Sequence, residues 1–108
     1  MTMPADPAVL HDPALRKFGA MVEGEEAHLS YYPAGEGVLD YASTFVPERL
    51  RGRGIASAVV REALEYARER GYRVIPSCWF VKGYIERHPE YAGVVTALRE
   101  EGTGKGEG

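Results

Sequence analysis

The residues best suited to chemistry lie together in the stretch Val46-Pro-Glu-Arg-Leu-Arg-Gly-Arg-Gly-Ile-Ala-Ser-Ala-Val-Val60. Gly52 and Gly54 can take backbone angles closed to other residues, so several N–H groups can turn toward one bound group with no Cβ in the way. A helix starting near Ile55 leaves its first amides unpaired and carries a partial positive charge there, and Arg49, Arg51 and Arg53 add full charges beside it. A phosphate or pyrophosphate fits such a place. An ordinary strand-to-helix turn with solvated arginines fits the same residues, because short glycine motifs recur widely. Cys78 is the single cysteine, which excludes an internal disulfide and leaves a buried thiol or a reactive one. No spacing among His, Asp, Glu and Cys resembles a metal site. His28 and His88 each offer a base, but the sequence shows no partner for either, and both read as surface or capping residues.

These residues need elements to hold them. Partial alternation over 15–22, a second run over 27–32 and a third over 38–46 predict three strands joined by short turns with glycine, an antiparallel meander. In the third, Val38, Asp40, Ala42, Thr44 and Val46 are expected on one face, and Leu39, Tyr41, Ser43 and Phe45 on the other. From Ile55 to Arg70 an apolar stripe of Ile55, Val59, Ala63 and Ala67 with Ala56, Val60 and Leu64 predicts a helix, closed by Gly71. Tyr72 to Pro76 restarts as a strand, so the strand before the loop, the helix and this strand form a right-handed βαβ unit with parallel strands. Phe80, Tyr84 and Ile85 place a second helix over 79–87, stopped by His88-Pro89, and 90–100 can hold another short one. The fold class is α/β (α+β): a loose segment over 1–14, one domain over 15–100, and a glycine-rich tail over 101–108 expected to be disordered.

Composition sets outer bounds. A chain of 108 residues supports one core, and 44% hydrophobic with 27% charged residues is an ordinary soluble composition. The net charge of −3 argues against a nucleic-acid partner, while seven of the thirteen Lys and Arg fall between Arg49 and Arg73, which suits a local anionic ligand. No run approaches the roughly 18 apolar residues of a membrane span, and no basic-then-apolar leader opens the chain, so a cytoplasmic protein without a membrane partner is expected.

The meander, Arg51-Gly-Arg-Gly-Ile-Ala56, the amphipathic helix, Gly71 and the next strand together resemble the acetyl-CoA-binding core of the GNAT acetyltransferase superfamily. Its signature, Gln/Arg-x-x-Gly-x-Gly/Ala, is filled by Arg51, Gly54 and Ala56, and in a shifted register by Arg49, Gly52 and Gly54. With Cys78-Trp79-Phe80, Tyr84 and His88-Pro89 the chain is similar to the small stand-alone N-acetyltransferase-domain proteins. The resemblance covers about Leu15 to Tyr91. It implies that acetyl-CoA is the co-substrate, with its arm along Thr44, Phe45 and Val46 and its pyrophosphate on Arg51, Gly52, Arg53, Gly54, Ile55 and Ala56. The thioester would then point between the two parallel strands.

An N-acetyltransferase is the function so implied, with a small-molecule or peptide amine as acceptor and a monomer or weak homodimer as the assembly. The alternative is a catalytically weak CoA-binding sensor or interaction module. Transfer needs a neutral amine, a donor for the oxyanion and a proton for the departing thiolate. Tyr84 is the leading candidate for that proton, Tyr91 the next, although Tyr84 also lies on an apolar stripe and fits the core equally well. Cys78 either relays the acetyl group covalently or lines its site, and direct transfer is the favoured expectation. The sequence departs from the small subfamily in carrying Ser43, not histidine, before Thr44. It also lacks room between its first strands for the helices that usually shape an acceptor pocket.

Overall fold

Ala27, Leu29 and Tyr31 alternate with polar residues along one strand and are buried on the same side, and the elements that position the site are stacked there. The computed structural model describes residues 7–96. In order these form β1 (Leu10–Asp12), β2 (Lys17–Val22), β3 (Glu25–Pro33), β4 (Val38–Phe45), α1 (Ile55–Arg70), β5 (Arg73–Ile75) and α2 (Trp79–Arg87). Short 3-10 turns occupy Glu48–Leu50 and Pro89–Val94. The sheet order is β1-β2-β3-β4-β5, antiparallel as far as β4, with β4 and β5 parallel across α1. The architecture is therefore mixed α+β, a meander feeding a βαβ unit as the sequence predicts.

The interior explains the connection. Val59, Val60, Ala63, Leu64 and Ala67 of α1 pack with Phe18, Leu29, Tyr31 and Tyr41 of the sheet and Val81, Tyr84 and Ile85 of α2 in one core. Tyr41 is fully buried and satisfies its hydroxyl by donating to the Ala63 carbonyl at 2.6 Å, which ties β4 to the middle of α1. Gly71 closes α1 at φ 73°, a left-handed conformation that costs a glycine little, and starts β5 two residues later. A second cluster of Ala27, Leu50 and Ile55, with Val22 and Val46 against it, pins the loop between β4 and α1 to the sheet.

Three expectations change. Residues 10–12, expected in the loose segment, form β1 on β2. Three residues are too few for alternation to show, and what holds them is His11, stacked on Phe18 at 4.3 Å, edge-on to Tyr66 at 4.4 Å and bonded to the Tyr31 hydroxyl at 2.5 Å. The expected helix over 90–100 is a 3-10 turn to Val94, after which Val95 bridges to Val74 and Thr96 donates to the Val74 carbonyl. Residues 97–100 and the expected tail over 101–108 lie outside the described residues.

The third change concerns β4. Ser30 pairs with Ser43 but Tyr31 pairs with Tyr41, so Ala42 is an extra residue, a β-bulge. One inserted residue reverses the faces beyond it. Leu39, Tyr41 and Thr44 consequently share the helix side, while Val38, Asp40, Ser43 and Phe45 share the outer side, where strict alternation separates Tyr41 from Thr44. Leu10, Met21, Tyr32 and Phe45 are all exposed on that outer side.

Candidate functional site

β4 and β5 begin as partners and then part. They pair at Val38↔Arg73, Leu39↔Val74 and Asp40↔Ile75, and one more backbone bond, Cys78 N–H to the Tyr41 carbonyl at 3.0 Å, closes the root. Beyond it β4 continues to Phe45 toward the loop and α1, whereas the chain after β5 turns at Pro76 into α2, with Cys78 as its N-cap. Both helices thus start at the carboxyl ends of parallel strands, the side on which an open α/β sheet takes its ligand. Across the parting strands the Thr44 hydroxyl and the Cys78 thiol meet at 3.3 Å. The bulge is the reason Thr44 faces Cys78 at all.

A cleft of about 450 Å³ opens from this root. It is lined by Thr44, Phe45 and Val46 from β4 and its extension, Leu50, Arg51, Gly52 and Gly54 from the loop, Ile55, Ala56 and Ser57 from the first turn of α1, and Phe80 from α2. Gly52 and Gly54 lie at φ 82° and 78°, with no atom within 4 Å of where a Cβ would stand. The conformation, not crowding, therefore requires glycine in the free protein. The first helical bond of α1 runs from the Ala58 amide to the Gly54 carbonyl, and no acidic side chain sits in that first turn. The preceding amides are left to an anion or to water.

The arginines divide. Arg51 lines the cleft and, among the described residues, uses only its Nε, on the Val46 carbonyl at 3.0 Å, which leaves the ends of the guanidinium fork available. Arg53, expected at the anion, is not in the lining: it bonds Glu23 at 2.8 Å. Arg49 bonds the same Glu23 at 2.7 Å and also pairs with Glu25. The bonds from Arg53 and then Arg49 hold the Glu23 carboxyl down to about 2. Leu50, Ser57 and Phe80 are lining residues that sequence reasoning missed. Ser57 was readable from its place in the first turn of α1, and Phe80 from its place in the first turn of α2.

Tyr84 is buried in the core, its ring stacked on His88 at 4.0 Å, and is not among the residues lining the cleft. Tyr91 is also buried and donates to Glu65 at 2.6 Å, with its phenol pushed up by burial and then by that bond. His88 caps α2 through the Tyr84 carbonyl at 2.9 Å. His28 lies on the outer face beside Phe45, with the Glu26 carboxylate 3.4 Å from its Nδ1, a partner that the sequence did not show. Trp79, at the start of α2, is 87% exposed. Among the described residues no group of three or more His, Cys, Asp and Glu could hold a metal, and no helix is long and apolar enough to cross a membrane.

A family model described as GCN5-related N-acetyl-transferase matches residues 17–94, the span that builds β2 through α2 and the cleft between them. The chain belongs to this family. Protein NATD1 of Mus musculus is 32% identical over 83 residues, which cover 75% of this chain and 76% of that protein. Protein NATD1 of Danio rerio is 31% identical over 87 residues, 77% of this chain and 79% of that one. The NMR solution structure of a GCN5-like protein from Staphylococcus aureus superposes with a TM-score of 0.67 at 23% identity, over 89% of this chain and 94% of that one, and so shares its fold. The GCN5-related N-acetyltransferase domain here is a small one: β1, β2 and β3 follow one another through turns of a few residues, with no helix between them among the described residues.

Proposed function

We propose that this domain binds acetyl-CoA in the cleft and transfers the acetyl group to an amine. The observation that carries the reading is the parting of β4 and β5 into a cleft whose far wall is the Gly52–Gly54 loop and the open first turn of α1. In this reading the pyrophosphate lies on the amides of the loop and of Ile55, Ala56 and Ser57 with Arg51 beside them, the pantetheine follows Thr44 to Val46, and the thioester reaches the Thr44–Cys78 root. Bound there, acetyl-CoA supplies an activated acyl carbon. The amine nitrogen would attack that carbon with the oxyanion taking an N–H from the free edge of β4; as the C–S bond breaks, the nitrogen gives up one proton and the leaving thiolate takes one up.

Direct transfer fits the geometry better than a relay. Cys78 touches Thr44 and packs against the core, a position that shapes the acetyl site. Tyr84 serves as packing in this account. A second reading, binding without efficient turnover, draws on one observation: no acid, histidine or tyrosine is among the cleft lining residues. One experiment separates them. Calorimetry with acetyl-CoA, followed by release of free CoA in the presence of a panel of primary amines, is expected to give 1:1 binding and turnover. Binding without turnover favours the sensor, and no binding removes both. In the same assay Cys78→Ser is expected to keep kcat within about tenfold, whereas a covalent thiol relay would lose orders of magnitude and leave an acetyl mass on the Cys78 peptide.

A further inference from the structure

The turn between β2 and β3 is two residues long, since Val22 pairs with Glu25, and both of its residues stand at positive φ, Glu23 at 53° and Gly24 at 83°. A hairpin turn of this hand favours Asn, Asp or Gly at its first position, so the turn alone does not call for a glutamate. The contacts of its side chain do. The two carboxylate oxygens divide between the arginines that flank Leu50 to Gly52: Oε1 accepts from Arg49 Nη1 at 2.7 Å and Oε2 from Arg53 Nη2 at 2.8 Å. The Glu23 carbonyl accepts a further bond from Arg49 Nη2 at 3.3 Å.

The two arginines are held unequally. Arg49 has Glu25 as a second acceptor, for its Nε at 2.7 Å, whereas Arg53, among the described residues, has Glu23 alone. The loop does not depend on Glu23 for its anchorage, because Leu50 and Ile55, on either side of it, are buried against Ala27 of β3. An uncharged group in place of the Glu23 carboxylate would therefore free Arg53 and leave the backbone around it where it is. Arg53 stands between Gly52 and Gly54, both of which line the cleft, so its guanidinium, once released, is carried beside the amides offered to an anion. Glu23 and such an anion compete for the same cation, and an exposed pair of this kind contributes little enough to exchange.

We propose that Glu23 is a positioning residue for the cofactor loop, a resident anion that keeps Arg53 turned away from the cleft and holds the affinity for a pyrophosphate-bearing ligand below what the loop can supply. This rests on the acetyl-CoA reading above. Acetyl-CoA and the product CoA carry the same pyrophosphate, so any charge added there binds both alike. Uniform binding of that kind lowers KM without raising kcat, and it delays departure of the product. A carboxylate built into the hairpin keeps the grip light enough for release.

The test compares the whole chain with its Glu23→Gln variant by calorimetry, using acetyl-CoA, inorganic pyrophosphate and S-acetylpantetheine, which has no phosphate. Glu23→Gln is expected to tighten acetyl-CoA and pyrophosphate by about fivefold each and to leave S-acetylpantetheine unchanged. Near 1 M salt, where charges are screened beyond roughly 3 Å, the difference between the two proteins should shrink to less than about twofold, whereas an effect of loop shape would persist. Adding Arg53→Ala to Glu23→Gln should abolish the gain. In turnover KM for acetyl-CoA should fall with kcat no higher, and Tm should hold because the pairs removed are exposed. Unchanged or weaker binding of acetyl-CoA by Glu23→Gln, a gain shared by S-acetylpantetheine, or one that survives high salt or the loss of Arg53 overturns the proposal. If the wild type does not bind acetyl-CoA, the reading beneath falls and inorganic pyrophosphate alone decides: tighter binding by Glu23→Gln sustains the resident anion, and no gain overturns it.

Discussion

The two ends of α1 are held in different ways. At its N-terminus the chain is charged and open: Gly54 at positive φ, Arg51 on a carbonyl, Arg49 and Arg53 on exposed glutamates. Toward its C-terminus it is aromatic, with Tyr66 between His11, Phe18 and Tyr72 and the Arg70 guanidinium 4.3 Å above its ring. Exposed ion pairs contribute little to stability, whereas buried rings contribute much. The first end is therefore free to be shaped by a ligand, and the second carries the fold. Binding and stability should separate under mutation.

The largest expected effect is at the aromatic end. Phe18→Ala should lower stability by about 3–5 kcal/mol, since it empties a core position that four other rings touch. Urea unfolding measures it, and acetyl-CoA affinity of the folded fraction should be unchanged. A loss under about 1 kcal/mol would mean that the aromatic end does not carry the fold. At the other end, Gly54→Val should weaken acetyl-CoA binding by about a hundredfold, because a β-branched residue resists φ 78° and places methyls where the ligand backbone would pass. Calorimetry on a variant that circular dichroism shows folded is the check, and normal binding would reduce the loop to an ordinary turn.

A smaller effect sharpens the contrast among the arginines. Arg51→Ala should lose about tenfold in acetyl-CoA affinity, and Arg53→Ala clearly less, since Glu23 already holds Arg53. Equal losses would place both at the anion. The smallest effect is a pH dependence. Burial, with Arg70 adding and Asp12 opposing, keeps the His11 imidazole below its ordinary value. The unfolded chain takes a proton as pH drops through about 6.5 while the folded one resists it, so stability present above that pH declines below it. Tm should fall from pH 7 to pH 5, and His11→Phe should flatten that slope. Identical slopes in the two proteins would remove His11 from the account.

Local punctuation made much of the molecule legible. Gly54 and Gly71 bracket α1, Pro76 and Pro89 bracket α2, and in each case the backbone change is written in the residue type. The loop that lines the cleft was legible for the same reason: Gly52, Gly54 and Arg51 stand out by residue type and spacing. What stayed hidden depends on residues far apart. The pairing of Arg53 with Glu23 spans thirty residues, and nothing local distinguishes it from Arg51. β1 is held through His11 and not by a pattern of its own.

Ala42 has no side-chain chemistry to mark it, yet it sets which way Thr44 faces. The strand is therefore more sensitive to how many residues it has than to which residues they are. Exchanging Ala42 for another small residue keeps the count, whereas deleting it turns Thr44 away from Cys78 while every functional residue remains in the chain. In a library of single-residue deletions and substitutions along 38–45, position 42 should tolerate replacement and reject removal. An alignment scored on identity alone would not see the difference.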